Sequence, residues 1–216
     1  MTWQVRAPVY QPHASQFAYG LKGSCTLLAL AACDVVSKGI ASYVLDPHAP
    51  NPNPASSENV QAVMYRIYKQ ARAHGLCAPS GGANQYDMLK MAGLIGLPVK
   101  DVLYYAEPQP TDAWVNFLRR YVAHAAKPYP VLMQFSNGQA LRDADAGTAD
   151  EPGLRYHAAA LYGTQTDPEN IRAGGYIGCD GDNATVKDRP IIYSLATLAA
   201  ARPISIIAFD YVQAKG

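Results

Sequence analysis

Helical periodicity fills the first half of this 216-residue chain, and strand-like runs fill the second. That order limits the fold more than any single motif does. Cys25 to Lys38 reads as a strongly apolar helix closed by Gly39. Ser56 or Ser57 caps a second helix, with Val60, Val63, Met64, Ile67 and Tyr68 at helical spacing and Gly75 as its stop. Asn84 to Gly96 is a third helix and Thr111 to Ala126 a fourth. Strands are expected at Val99 to Tyr105, Pro130 to Phe135, Tyr156 to Tyr162, Gly174 to Cys179 and Ile204 to Val212, with a short helix at Ser194 to Ala201. Residues 1–22, 45–56 and 136–154 read as irregular, each broken by proline or glycine. Helices first and strands second predict an α+β fold, in which a helical lobe packs on an antiparallel sheet. No repeat or low-complexity linker divides the chain. It reads as a single domain over 1–216, mainly helical to about residue 126 and mainly β from about 127.

Composition removes several function classes. Formal net charge is +1 and only 16% of residues are charged, which leaves no footprint for nucleic acid or an anionic membrane surface. The most apolar stretch, Thr26 to Val36, contains Asp34 and is too short to span a bilayer. Met1-Thr2-Trp3-Gln4-Val5-Arg6 has neither the basic nor the apolar region of a secretory signal, so a cytoplasmic location is the default expectation. The four cysteines, Cys25, Cys33, Cys77 and Cys179, are widely spaced and predict neither a paired-cysteine metal site nor a disulfide framework. No phosphate-loop or dinucleotide motif occurs. Asp143-Ala144-Asp145-Ala146-Gly147 lacks the closing glutamate of a calcium loop. No metal and no cofactor are expected.

Chemistry is expected at Cys25. It follows Gly23-Ser24 at the start of the apolar helix, where backbone N–H groups and the helix dipole favour a thiolate. A nucleophilic thiolate needs a base. His13 and His48 lie in proline-rich loops, and His74 and His124 lie near helix C-termini. His157 instead opens the small-residue strand His157-Ala158-Ala159-Ala160-Leu161. The next strand ends at Cys179-Asp180. If the two strands form a hairpin, Asp180 stands beside His157, where an acid orients an imidazole and stabilises its cation. Asp182 and Asn183 compete with Asp180 for that place.

These stretches resemble the papain-like cysteine peptidases, including their bacteriocin-processing branch. Gly23-Ser24-Cys25 and the helix after it are similar to the family's nucleophile helix. His157-Ala158-Ala159-Ala160-Leu161 is similar to its histidine strand, and Tyr176-Ile177-Gly178-Cys179-Asp180 to the strand ending in the orienting acid or amide. The resemblance implies a papain-like fold and a peptide or protein substrate. It also implies amide hydrolysis through a Cys25 thioester, with His157 as acid and base and Asp180 orienting it. The family places an oxyanion-binding glutamine shortly before the nucleophile. Here that position is Tyr19, whose phenol can donate, with Gln16 nearby as an alternative and no side-chain donor as a third. Transglutaminases and arylamine N-acetyltransferases use the same three residue types in the same order, so an acyltransferase is the rival enzyme. A catalytically inactive papain-like binding module is the rival from another class.

Overall fold

The computed structural model describes residues 4–43, 53–83, 86–104, 111–144, 156–166, 175–180 and 190–212. It is an α+β structure with helices early in the chain and an antiparallel sheet. The strands are β1 (Gln4–Arg6), β2 (Val99–Tyr104), β3 (Val131–Phe135), β4 (His157–Thr166), β5 (Gly175–Cys179), β6 (Ile191–Tyr193) and β7 (Pro203–Phe209). The helices are α1 (Cys25–Lys38), α2 (Ser57–Ala73), α3 (Asp87–Leu94), α4 (Thr111–Leu118), α5 (Gln139–Ala144) and α6 (Leu195–Ala200). Strand order is β2-β7-β3-β4-β5-β6, and all pairings are antiparallel. Along one edge of β4, β3 pairs with the first half and β1 with the second.

Alternation along the strands sends their side chains into two separate cores. Leu132, Ala158, Ala160, Tyr162, Ile177 and Ile207 pack with α1, α2 and α3. Val131, Met133, Ala159, Leu161, Tyr193 and Ile206 pack with α4 and α6 on the other face. A strand covered on both faces has no solvent side to make polar, which is why β3 and the start of β4 read as nearly continuous apolar runs.

α1 is the central helix of the first core, with every residue from Thr26 to Ser37 buried. Leu27, Leu28, Leu30 and Val35 are fully enclosed, and each contributes about 2 kcal/mol of transfer free energy. With the turn that follows, the stretch Cys25–Ser42 has the length and mean hydropathy (1.5) of a membrane span, but 72% of it is buried within the fold. Its buried acid, Asp34, pairs with Lys38 one turn later and with Arg66 of α2 at 3.4 Å. Lys38 Nζ also donates to the Ile95 carbonyl at 2.6 Å, so one charged cluster ties α1, α2 and the end of α3 together. Burial pushes the Asp34 carboxyl up, and the two cations only partly offset it.

Local signals explain most element ends. Ser56 caps α2 by accepting from Asn59 N at 3.2 Å, and Ser194 caps α6 by accepting from Thr197 N at 3.0 Å. Gly39 leaves α1 with φ 55. Several elements differ from expectation. Residues 4–6, expected to be irregular, form β1, because β4 extends to Thr166 and offers them an edge. Arg6 secures this strand by donating to the carbonyls of Ala123 (2.6 Å) and Ala125. The fourth helix is α-helical only to Leu118 and continues as a π-helical turn over Arg119–Ala123. Within the expected 136–154 loop, residues 139–144 form α5, anchored by buried Leu141. β6 was not expected at all. Residues 45–52 and 145–154 of the expected loops lie outside the described residues.

Gly178 shows how closely β5 lies on β4. A Cβ there would stand 2.2 Å from the Ala160 carbonyl oxygen. Gly93 in α3 is the opposite case, since a Cβ there meets nothing within 4 Å. Gly178→Ala should therefore cost about 3 kcal/mol in urea unfolding through overpacking. Gly93→Ala should gain about 0.5 kcal/mol through helix propensity. Equal effects from the two substitutions would show that the β4–β5 approach is not the constraint.

Candidate active site

The loop before α1 is held from three sides. Ser24 Oγ donates to the Gln16 carbonyl at 2.6 Å, so the hydroxyl does not cap the helix. Gly23 N donates to the Ser80 carbonyl at 2.9 Å. The turn carrying Ser80 includes Gly81 at φ +92, and a Cβ there would lie 3.0 Å from Ser24 Cβ. Glycine thus meets both a left-handed backbone and a close approach. On the sheet side, Gln134 of β3 reaches Thr26 Oγ1 through its Nε2 at 3.5 Å and accepts from Ser205 Oγ at 3.0 Å. These contacts seat the first turn of α1 over β3, with Cys25 half-buried at its start.

His157 begins β4 opposite Phe135. Ala160 pairs with Cys179, so Asp180 falls diagonally across from His157 on the same face of the sheet. The hairpin expected from sequence therefore joins the two. His157 Nε2 donates to Asp180 Oδ1 at 2.6 Å, with both side chains buried. The second carboxylate oxygen, Oδ2, accepts from Tyr193 Oη at 2.5 Å. His157 Nδ1 is buried too and makes no full hydrogen bond to a described residue. The Cys25 thiol is the other group that acts on the ring, through a looser contact.

The electrostatics follow from this geometry. Burial alone pushes the His157 imidazole pKa down. The Asp180 carboxylate, by charge and hydrogen bond, pushes it up more strongly, and Cys25 adds to the rise. The net result is well above the ordinary value of 6.5. The other cysteines differ. Burial pushes Cys33 up, with the charges of Cys179 and Asp34 adding to it. Burial pushes Cys179 up to about 12 and also raises Cys77. All three are buried, so they are thiols at neutral pH and closed to reagents.

The structure thus brings Cys25, His157 and Asp180 to one place. Tyr19 is 55% exposed, with its ring stacked on Tyr65 of α2 at 4.5 Å and its backbone at φ 60. Gln16 is buried and tied through its carbonyl to Ser24, the residue before Cys25. Asp182 and Asn183 lie outside the described residues. Sequence reasoning missed Tyr193. It sits in a three-residue strand, too short for periodicity to reveal, and only the folded sheet carries its hydroxyl to Asp180. Among the described residues, no cluster of three or more His, Cys, Asp or Glu side chains is placed to hold a metal ion. The chain matches no protein-family model and no curated protein.

Two outcomes are expected. Iodoacetamide at neutral pH should label Cys25 far ahead of the other three cysteines, and His157→Ala should slow that labelling at least tenfold, read by peptide mass mapping. Slow, equal labelling of all four would mean that Cys25 is not activated. The second outcome concerns pH. A folded His157 pKa above the unfolded value means the folded state holds this proton more tightly. The resulting stabilisation is full below the ordinary imidazole value and is lost as pH rises through the folded one. The gap in unfolding free energy between wild type and His157→Gln should narrow as pH rises above the ordinary imidazole value. A widening gap would reverse the assignment.

Proposed function

We propose that this chain is a papain-like cysteine peptidase acting on a peptide or protein. The observation that carries the reading is the buried 2.6 Å pair of His157 and Asp180, set against a half-buried cysteine at a helix N-terminus. Burial leaves this imidazole charged only because the carboxylate is there. A charged imidazole beside a thiol is the pairing that nucleophilic cysteines use.

In this reading Cys25 Sγ attacks the carbonyl carbon of a bound amide. Negative charge moves to the carbonyl oxygen, where the Cys25 backbone N–H receives it. The side chain best placed to help is Gln16. It is buried and tied to the loop before the nucleophile, whereas the Tyr19 ring is engaged with Tyr65. His157 then protonates the leaving amine, leaving a Cys25 thioester. Neutral His157 takes a proton from water, which attacks the thioester and releases the acid. Asp180 holds the ring through Nε2, so that Nδ1 faces the thiol.

A mixed peptide library incubated with the protein, with and without a primary amine, tests this. Hydrolysed products that disappear with Cys25→Ala are expected. Amine adducts in place of acids would make the enzyme an acyltransferase. Cleavage that survives Cys25→Ala would remove the cysteine mechanism altogether. Gln16→Ala should lower kcat about 100-fold, the usual loss for one oxyanion donor, while Tyr19→Phe should leave it unchanged.

A further inference from the structure

We infer that Tyr193 is a positioning residue for the catalytic pair, its hydroxyl holding the Asp180 carboxylate in the orientation that His157 requires. The inference rests on the peptidase reading of Cys25, His157 and Asp180, and it adds a residue from a strand outside that hairpin.

The geometry is direct. Asp180 uses one oxygen on each neighbour: Oδ1 accepts from His157 Nε2 at 2.6 Å and Oδ2 accepts from Tyr193 Oη at 2.5 Å. Both are short, charge-assisted bonds. A carboxylate held by one oxygen alone still turns about its Cβ–Cγ bond, and each turn moves the acceptor away from the imidazole. A second bond to the other oxygen removes that freedom. Tyr193 suits the task because its ring cannot wander. It is 2% exposed and packed in the second core among residues of β3, β5 and α6. Ser194, the next residue, caps α6, which fixes the backbone on that side.

The hydroxyl also sets when the carboxylate takes up a proton. Hydrogen bonds to the ionised form favour ionisation. Among the described titratable groups, Cys25 from α1 acts on His157, and Cys179 in β5 lies beside Asp180 and feels its charge. Burial holds Cys179 as a neutral thiol up to about 12, so it does not titrate in the working range. Without Tyr193, Asp180 protonates at higher pH, and the imidazolium loses its counterion at higher pH.

The test is the rate of Cys25 alkylation by iodoacetamide against pH, which needs no known substrate. Wild type should show an acid limb, where labelling falls as the pair is broken. Tyr193→Phe should move that limb up by about one pH unit, the size of one lost hydrogen bond to a charged group. Adding Tyr193→Phe to Asp180→Asn should produce no further shift, because the amide does not titrate. A Tyr193→Phe limb that overlays wild type, or a uniform loss at every pH, would overturn the inference and leave the peptidase reading intact. A wild-type Cys25 with no activated labelling at any pH would overturn that reading, and the inference with it. If Tyr193→Phe does not fold, the hydroxyl proton of Tyr193 in the wild-type protein serves instead. It should appear by NMR as a slowly exchanging downfield resonance that is lost as Asp180 titrates, and its absence would count against the role.

Discussion

The close seating of α1 on β4 is the contact on which the rest of the molecule depends. α1 is buried from Thr26 to Ser37, so it needs a surface that encloses it. β4 provides that surface with Ala158 and Ala160, whose small side chains let the helix axis approach the sheet. The same approach brings the first residue of the helix to the first residue of the strand, and these are Cys25 and His157. The contact that encloses the core thus also assembles the site. Polar ties sharpen the placement: Gln134 links the first turn of α1 to Ser205, and the Ser80-Gly81 turn closes on Ser24.

Two buried carboxylates in this fold show opposite uses of charge. Asp34 sits inside α1 and is only partly offset by Lys38 and Arg66, so burial keeps its carboxyl raised. Its cluster joins three helices, which is a structural return for an electrostatic cost. Asp180 instead has a short bond on each oxygen, from His157 and from Tyr193. There the carboxylate's charge goes into raising a neighbouring imidazole. The difference lies in geometry. The Asp34 partners are flexible cations at the end of long stems, whereas the Asp180 partners are rings fixed by packing.

Much of this was legible in the residues. The apolar face of α2, its Ser56 cap, the glycine end of α1 and the apolar run of β4 each follow from local rules, and each is present where expected. The hairpin that brings Asp180 to His157 follows from two strand patterns separated by a short segment. Other features left no local trace. β1 is strand only because β4 offers an exposed edge to it, and three residues of that sequence carry no periodicity. β6 is equally short, so Tyr193 looked like any other of the tyrosines. The placement of Tyr19 and Gln16 was also out of reach, because the contacts of the 16–24 loop are made with Ser80, Gly81 and Tyr65, far along the chain.

By itself, then, the sequence determined the α+β class and the central helix. It also placed a cysteine at that helix's start, a histidine at a strand start and an acid at a strand end. These follow from periodicity, capping and the two-residue alternation of strands, all of which act over a few residues. The tertiary structure decided which side chains meet. It turned Tyr19 onto Tyr65, buried Gln16 in the loop before Cys25 and carried Tyr193 to Oδ2 of Asp180. Those outcomes depend on sheet order and on the distance between packed layers, which arise only when segments far apart in the chain are buried against one another.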